Sequence, residues 1–330
     1  MQRRELLALL GGAAVFPLAA RAQGLREGPR RLGVLSISAA GEPVVEARPA
    51  ALSEALAALG WEEGGNLRTE WRNGGSDTTL IARFADELVA LAPDVLLAIG
   101  TPCVAELKQR TATIPIVFTV VTDPVGQGLV HGLSRPGGNV TGFTDYDGPM
   151  AGKWLGMLTQ VTPPASRVTA IYNPATAPFA DLMLRALEAS AASLAVTLRQ
   201  APVADGPAIA ATVASLAMER NAALLVLPDF FTFSNRASIL AAAAKAGVPA
   251  VYWSRAFVDD GGLMSYGTDS NDLLRRAAGY IDRILKGAKA GELPVQNPTK
   301  FELAINLKTA RALGVTIGPS LLATADEVIE

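Results

Sequence analysis

Polar side chains that can hydrogen-bond or carry charge lie where short apolar segments end. The segments 94–99, 114–121, 167–172 and 223–227 are rich in Val, Leu and Ile, a pattern typical of strands buried on both faces. The carboxyl ends of parallel strands meet at one edge of a sheet, and open α/β sheets bind ligands there. We therefore predict that a cleft at this edge is lined by the polar residues Ser36, Ser38, Thr101, Thr122, Asp123, Asp145, Asn173, Asp229 and Ser254.

Aromatic residues share these positions. The candidates at or next to the strand ends are Tyr172, Phe230, Trp253 and Tyr266. Their large flat rings with a polar group at one end suit stacking on a planar or aromatic ligand. The alternative interpretation is that some of these rings only fill the ends of the sheets.

The two aspartates that follow strands have alternative roles as well. Asp123 and Asp229 could bind an ammonium group or could cap helices. The capping role is favoured for Asp123, and the ligand contact for Asp229, which precedes three phenylalanines within four residues. The segments at Thr101 and Thr122 each precede a proline suited to a first helical turn, so we expect helix N-termini that can hold a carboxylate. Arg255 could clamp a carboxylate or remain solvated.

No pattern of residues predicts catalysis. The chain contains one cysteine, Cys103, and one histidine, His131, so neither a disulfide nor a Cys/His zinc site can be assembled. The glycines of 126–131 only approximate a dinucleotide fingerprint, and His131 is expected to be a surface residue in a helix. We predict no catalytic residue, no metal site, no cofactor and no enzymatic activity. With 29 basic and 31 acidic residues and no basic patch, no nucleic-acid partner is expected either.

Strands and helices alternate twice along the 330 residues, which is long enough for about two domains. The first series has predicted strands at 31–37, 67–72, 94–99 and 114–121, a short strand at 140–143, and helices at 47–59, 78–91 and 103–110. The second has strands at 167–172, from 196, at 223–227, 249–253 and 262–267, and helices at 153–161, 179–194, 207–220 and 235–246. A helix at 273–285, a strand at 301–306 and a helix at 307–313 follow. This alternation predicts parallel sheets in two lobes that face each other across a cleft.

The amino terminus has the composition of an export signal. Arg3 and Arg4 precede an apolar stretch that ends in the small-x-small sequence Ala20-Arg21-Ala22. Adjacent arginines in this position indicate a twin-arginine signal, with cleavage after Ala22. A membrane anchor is the weaker alternative, because the stretch is short for a bilayer span and contains Gly11, Gly12 and Pro17.

Several segments together resemble a known family, the substrate-binding proteins of ABC transporters, in the group with members that bind tryptophan and other aromatic amino acids. The segments that carry the resemblance are Ile114–Phe118, Thr122–Val125, Leu133–Gly142, Tyr172–Pro174 and Pro298–Ala310. The resemblance implies an α/β fold of periplasmic binding protein type I, with two doubly wound parallel-sheet lobes joined by a three-crossing hinge. The crossings are expected near Phe143, Gly267 and Lys300, which gives an N-terminal lobe of 28–143 plus 268–299 and a C-terminal lobe of 144–267 plus 300–330.

The resemblance also implies a function. A periplasmic monomer would capture a small ligand, aromatic or amino-acid-like, by hinge closure and deliver it to an inner-membrane ABC permease. Two alternatives remain open: a ligand-sensing subunit that presents its closed form to a receptor, and an exported enzyme on the same scaffold. The sequence does not separate a permease partner from a receptor.

Overall fold

The computed structural model describes residues 28–38, 43–75, 77–162 and 167–330. The predicted export signal, 1–22, lies outside these residues. The strands in chain order are β1 Arg30–Ser36, β2 Leu67–Asn73, β3 Val95–Ile99, β4 Ile116–Val121, β5 Val140–Thr144, β6 Arg167–Tyr172, β7 Thr197–Pro202, β8 Ala222–Val226, β9 Ala250–Tyr252, β10 Met264–Thr268, β11 Phe301–Asn306 and β12 Glu327–Ile329. The helices are α1 Pro43–Ala57, α2 Thr78–Ala90, α3 Thr101–Arg110, α4 Gly148–Val161, α5 Ala180–Leu194, α6 Gly206–Leu216, α7 Phe230–Ser234, α8 Arg236–Ala246, α9 Arg255–Asp259, α10 Ser270–Leu285, α11 Leu307–Leu313 and α12 Pro319–Ala323, with a 3-10 turn at Ala290–Glu292.

The first lobe is built on a five-stranded sheet of order β2-β1-β3-β4-β5, in which every pair is parallel. Helices α1 and α10 pack over one face in a single apolar cluster. Helices α2 and α3 cover the other face. Strands covered on both faces must be apolar throughout, which is why β3 is fully buried and reads as a continuous apolar run.

The second lobe is built on a seven-stranded sheet of order β12-β11-β10-β9-β8-β6-β7. One cluster of buried apolar residues joins its strands to α4, α5, α6 and α8. All pairs are parallel except β10 with β11, where Thr268 faces Phe301. The chain returns from the first lobe at the carboxyl end of β10, so β11 must begin at that end and run in the opposite direction. The sequence pattern, which predicted parallel strands, did not show this reversal.

Three segments connect the lobes, and hydrogen bonds join them to each other. The first lies between β5 and α4, the second between β10 and α10, and the third before β11. The first and third are tied because the Thr144 amide donates to the Gln296 carbonyl oxygen (2.9 Å). The second and third are tied by the Lys300 ammonium, 3.3 Å from a carboxylate oxygen of Asp269. These contacts therefore link all three connecting segments into one hinge.

One predicted helix is absent. No helix begins at Pro124, and the segment 124–128 forms successive turns instead. Asp123 has a left-handed backbone (φ 49°), and its carboxylate accepts a hydrogen bond from the Gly126 amide at 2.9 Å, an arrangement that competes with a helical turn. His131 is exposed, as predicted, but it lies in a bend and not in a helix. The short elements α7, α9, α12 and β12 had no sequence prediction, because each spans too few residues to show periodicity.

Candidate ligand site between the two lobes

Two small cavities lie between the lobes at the carboxyl ends of the strands. The first, here called the acidic cavity, has a volume of about 20 Å³. Its lining residues are Thr101, Pro102, Val120, Thr122, Asp145, Thr176, Phe179, Pro228, Asp229, Phe230 and Trp253. The residues up to 122 lie at or just after the carboxyl ends of strands of the first sheet, and those from 176 onward belong to the second lobe. Both lobes therefore contribute polar groups to one space, as the strand-end pattern predicts.

The second space, here called the donor cavity, has a volume of about 40 Å³. Its lining residues are Ser38, Arg48, Val120, Tyr146, Phe230, Phe233, Trp253, Ser254, Thr268 and Ser270. Three side chains, those of Val120, Phe230 and Trp253, line both cavities and form the wall between them.

The lobes are closed over this site. Phe230, on the second lobe, approaches Gly100 on the first so closely that a Cβ at Gly100 would lie 3.2 Å from its ring. Each cavity has room for about one water molecule, whereas ligand pockets typically span ~300–1,000 Å³. A ligand of this usual size therefore enters only if the lobes separate and the shared wall rearranges.

Asp145 is the most unusual ionisable group in the acidic cavity. It follows β5 in the first connecting segment and is buried. Its Oδ1 accepts hydrogen bonds from the Thr122 hydroxyl and the Tyr146 amide, both at 2.7 Å, while Oδ2 accepts none from the described residues. Burial raises the pKa of this carboxyl to about 6, and the two hydrogen bonds only partly oppose that rise. A cationic group placed at Oδ2 would stabilise the ionised form.

Asp229 lines the acidic cavity from the second lobe, where it precedes α7. Its Oδ1 accepts from the Thr176 hydroxyl (2.6 Å) and the Phe231 amide (2.9 Å), and its Oδ2 from the Asn173 amide (2.9 Å). The Phe231 contact caps α7, so this aspartate combines the capping role with a place in the cavity wall. Burial raises its pKa as well, although the three donors limit the shift. No described residue that lines this cavity is basic.

The donor cavity has the opposite character. Arg48 is buried on α1, and its guanidinium donates to the Ser38 hydroxyl oxygen at 2.6 Å. Packing fixes the Trp253 indole: Tyr146 lies edge-on with ring centroids 6.1 Å apart, and Phe233 is tilted against it at 5.7 Å. The indole Nε1 is buried and has no acceptor among the described residues. None of the described residues that line this cavity is acidic.

The backbone of the shared wall is strained. Val120 has a φ of 57°, a left-handed conformation that is a true outlier for a β-branched residue. The register between β4 and β5 also shifts between Phe118 and Val121. This irregularity points the Val120 side chain into the cleft instead of leaving it within the sheet. Strain of this kind costs about 1–3 kcal/mol and clusters at functional sites.

Of the thirteen predicted site residues, the structure brings eight into the linings of the two cavities. These eight are Ser38, Thr101, Thr122, Asp145, Asp229, Phe230, Trp253 and Ser254. Ser36 and Asn173 lie directly behind that lining: the Ser36 hydroxyl accepts from the Ser38 amide (3.2 Å), and the Asn173 amide donates to Asp229.

The other three predicted site residues line neither cavity. Tyr172 is part of the apolar core of the second lobe. Tyr266 stacks on Phe301 with ring centroids 5.6 Å apart. Asp123 closes its own turn beside the site. Arg255, considered as a carboxylate clamp, pairs instead with Asp259 and Glu327 and is about half exposed.

Sequence reasoning did not select Arg48, Val120, Thr176, Phe179 or Ser270. For Arg48 a signal existed: it is four and eight residues before Leu52 and Leu56, so it shares the buried face of α1 with them. An arginine on an apolar helical face indicates a buried cation with a specific partner. For Val120 no signal was available, because its left-handed backbone conformation is not visible in a β-branched run.

Larger and more open grooves also lie among the described residues, and one of about 520 Å³ adjoins the donor cavity through Ser254, Thr268 and Ser270. A more open groove of about 400 Å³ lies along α1 and β2, with Trp61 and Trp71 in its wall, away from the strand ends. No group of three or more His, Cys, Asp or Glu side chains in the described residues could hold a metal ion. The part of the chain that the structure describes also contains no helix long and apolar enough to cross a membrane.

Comparison with known proteins agrees with this two-lobed arrangement. A solved structure of a conserved domain protein from Vibrio cholerae is 31% identical, covers 91% of this chain and 99% of its own, and superposes with a TM-score of 0.83. An ABC domain from Streptococcus pneumonia in complex with L-Trp is 27% identical over 92% of this chain and 100% of its own, with a TM-score of 0.84. The predicted type I periplasmic binding fold is thereby confirmed.

Sequence comparison gives a matching result. The tyrosine-binding protein of Clostridioides difficile (strain R20291) is 28% identical over 260 residues, which is 79% of this chain and 74% of that protein. A family model described as "ABC transporter substrate binding protein" matches residues 40–329. This chain therefore belongs to the ABC transporter substrate-binding protein family.

Proposed function

We propose that this protein captures an aromatic L-amino acid in the periplasm and delivers it to an ABC permease of the inner membrane. The observation that carries the proposal is the Asp145 carboxylate, buried at the cleft with one oxygen that accepts no hydrogen bond from the described residues. A buried carboxylate is stable only when paired, and the ammonium group of an amino acid supplies the missing cation.

The remainder of the acidic cavity fits the same ligand. Asp229 adds a second carboxylate from the opposite lobe, so an ammonium group between the two would contact both lobes at once. Phe179, Phe230 and Trp253 supply aromatic walls for a flat side chain. The relatives named for tyrosine and L-Trp support an aromatic ligand over an aliphatic one.

Hinge closure is the proposed capture step. We assign 28–143 plus 268–299 to the N-terminal lobe and 144–267 plus 300–330 to the C-terminal lobe. Each lobe has its own sheet, and only the three bonded segments connect them, which favours rigid-body rotation about the hinge. A monomer suffices, because both halves of the site come from one chain.

Export through the twin-arginine route, with cleavage after Ala22, completes the proposal. It is supported by Arg3, Arg4 and the apolar stretch that follows them. Replacement of both arginines by lysine should retain the protein in the cytoplasm, as measured by cell fractionation and immunoblotting. Unchanged periplasmic delivery of this variant would show that the general export route is used.

Calorimetric titration of the purified protein tests the ligand. We expect L-Trp, L-Tyr or L-Phe to bind, and the corresponding deaminated acids to bind at least about tenfold more weakly, because they lose a charge-assisted hydrogen bond. Asp145→Asn should abolish this preference for the amine. Equal affinity for amino acids and deaminated acids would contradict the assigned role of Asp145.

Asp123→Asn is the matched control for that experiment. It makes the same chemical change one residue after Thr122, but at a side chain that lines neither cavity. Asn tolerates the left-handed backbone found there, so the fold should be preserved. The affinities of this variant should equal those of the unmodified protein.

A further inference from the structure

We propose that the donor cavity is the binding subsite for the carboxylate of the ligand, with Arg48 and the Trp253 indole N–H as its anchoring donors. This inference rests on the proposed function, because it assigns the second charged group of the same ligand. The two cavities differ in charge: two carboxylates line the acidic cavity and a guanidinium lines the donor cavity, while hydroxyls and the Trp253 ring line both. A zwitterion has the complementary pair of charges.

The indole N–H is an observation independent of the arginine. Buried donors in folded proteins are nearly always paired, since an unpaired donor loses its hydrogen bond to water without compensation. Trp253 is buried, its ring is held by Tyr146 and Phe233, and its Nε1 has no acceptor among the described residues. The ring belongs to the wall that the two cavities share, so movement of that wall on ligand entry can bring a carboxylate oxygen to this donor.

Arg48 supplies the charge. Its guanidinium is buried, lines the cavity and donates to the Ser38 hydroxyl, which holds the side chain in place. A guanidinium presents several N–H donors in one plane and matches the two oxygens of a carboxylate. Ser254, from the second lobe, and Ser270, at the start of α10 in the first lobe, add hydroxyl donors to the same space.

At least one side chain of the wall between the cavities must move for the ligand to contact both Asp145 and Arg48. The ammonium and carboxylate of an α-amino acid are attached to one carbon, so they cannot occupy two spaces separated by a side chain. Among the three wall residues, Phe230 is the one that begins a short helix, α7. Its ring also contacts the other lobe at Gly100. We infer that its ring turns aside when the lobes open, which joins the two cavities into one.

Acetate, a carboxylate without any other recognition group, provides the first test. The indole resonance of Trp253 is followed by ¹H–¹⁵N NMR and assigned by its loss in Trp253→Phe. Acetate should shift this resonance saturably in the unmodified protein and should not shift it in Arg48→Met. Arg255→Met is the matched control, since Arg255 is exposed and lines neither cavity. A resonance that acetate leaves unmoved overturns the assignment.

Ligand pairs provide the second test. Arg48→Met should weaken L-Trp binding about tenfold or more and leave tryptamine, which lacks the carboxylate, unchanged. Equal weakening of both ligands overturns the assignment. If neither ligand binds the unmodified protein but acetate shifts the Trp253 resonance, the proposed aromatic ligand is wrong and the carboxylate subsite is supported. Should Arg48→Met not fold, Trp253→Phe, which keeps an aromatic ring and removes the indole N–H, must weaken L-Trp more than tryptamine.

Discussion

The buried carboxyl of Asp145 makes the stability of the ligand-free protein depend on pH. Its pKa is raised from 3.8 to about 6 on folding, so between these values the folded state binds more protons than the unfolded state. Stability therefore falls as pH rises through this window and levels off above it. We expect Asp145→Asn to remove this slope and to stabilise the ligand-free protein at pH 7 by at most about 3 kcal/mol.

Urea denaturation at pH 5 and pH 7 checks this expectation. The increase in the free energy of unfolding that Asp145→Asn produces should be larger at pH 7 than at pH 5, because at pH 7 the carboxyl of the unmodified protein is ionised in both the folded and the unfolded state. A loss of stability at pH 7 would mean that the hydrogen bonds from Thr122 and Tyr146 outweigh the cost of burying the charge.

Val120 provides a second prediction at the residue scale. Glycine adopts a positive φ at little cost, so Val120→Gly should relieve about 1–2 kcal/mol of backbone strain and offset most of the lost packing of a half-buried side chain. The neighbouring Val121→Gly has no strain to relieve and removes a fully buried side chain. Thermal denaturation should therefore show a small decrease in melting temperature for Val120→Gly and a large decrease for Val121→Gly. Equal losses would show that the Val120 conformation stores no strain.

At the scale of elements, the close approach of two strands fixes the position of Trp253. Gly267 on β10 lies so near the Trp253 carbonyl oxygen and the Tyr146 hydroxyl that an added methyl group would overlap both. Gly267→Ala should destabilise the protein by about 1–3 kcal/mol and displace the shared wall, so ligand affinity should fall as well.

A second Gly→Ala change isolates this effect. Gly279 lies inside α10, and no atom outside its own helix lies within 4 Å of the position that a Cβ would take. Gly279→Ala should stabilise the protein by about 0.5–1 kcal/mol, because alanine loses less backbone entropy in a helix. Calorimetric unfolding of both variants gives the comparison. A Gly267→Ala protein as stable as the Gly279→Ala protein would show that β9 and β10 adjust freely.

The elements also show what the sequence could and could not predict. Thr101, Thr122, Asp145 and Asp229 were predictable because chain direction alone places strand ends at one edge. The helix expected after Pro124 was wrong, since the side-chain hydrogen bond of Asp123 closes a turn that no periodicity rule includes. The prediction for Tyr172 also failed. Its position at the end of a strand predicts that it lies near the cleft, but its side chain packs in the core of its own lobe.

For the whole molecule, the two aspartates make lobe closure depend on charge. Asp145 is bonded to Thr122 of the first lobe, and Asp229 to Thr176 of the second, so closure brings two carboxylates into one cavity without a basic lining residue among those described. Burial raises the pKa of both. At neutral pH the cost of burying these two ionised carboxylates opposes closure, and either an ammonium group or a proton removes that cost.

We therefore expect the ligand-free protein to be open at pH 7 and to close when the pH falls below about 6 or when an aromatic amino acid binds. Small-angle X-ray scattering should show the radius of gyration decreasing in both cases. Asp145→Asn should already be compact at pH 7 without ligand, whereas Asp123→Asn should behave like the unmodified protein. A radius that responds to ligand but not to pH would show that contacts other than the two carboxylates control the hinge, because protonation removes the cost of burying their charges without supplying any ligand contact.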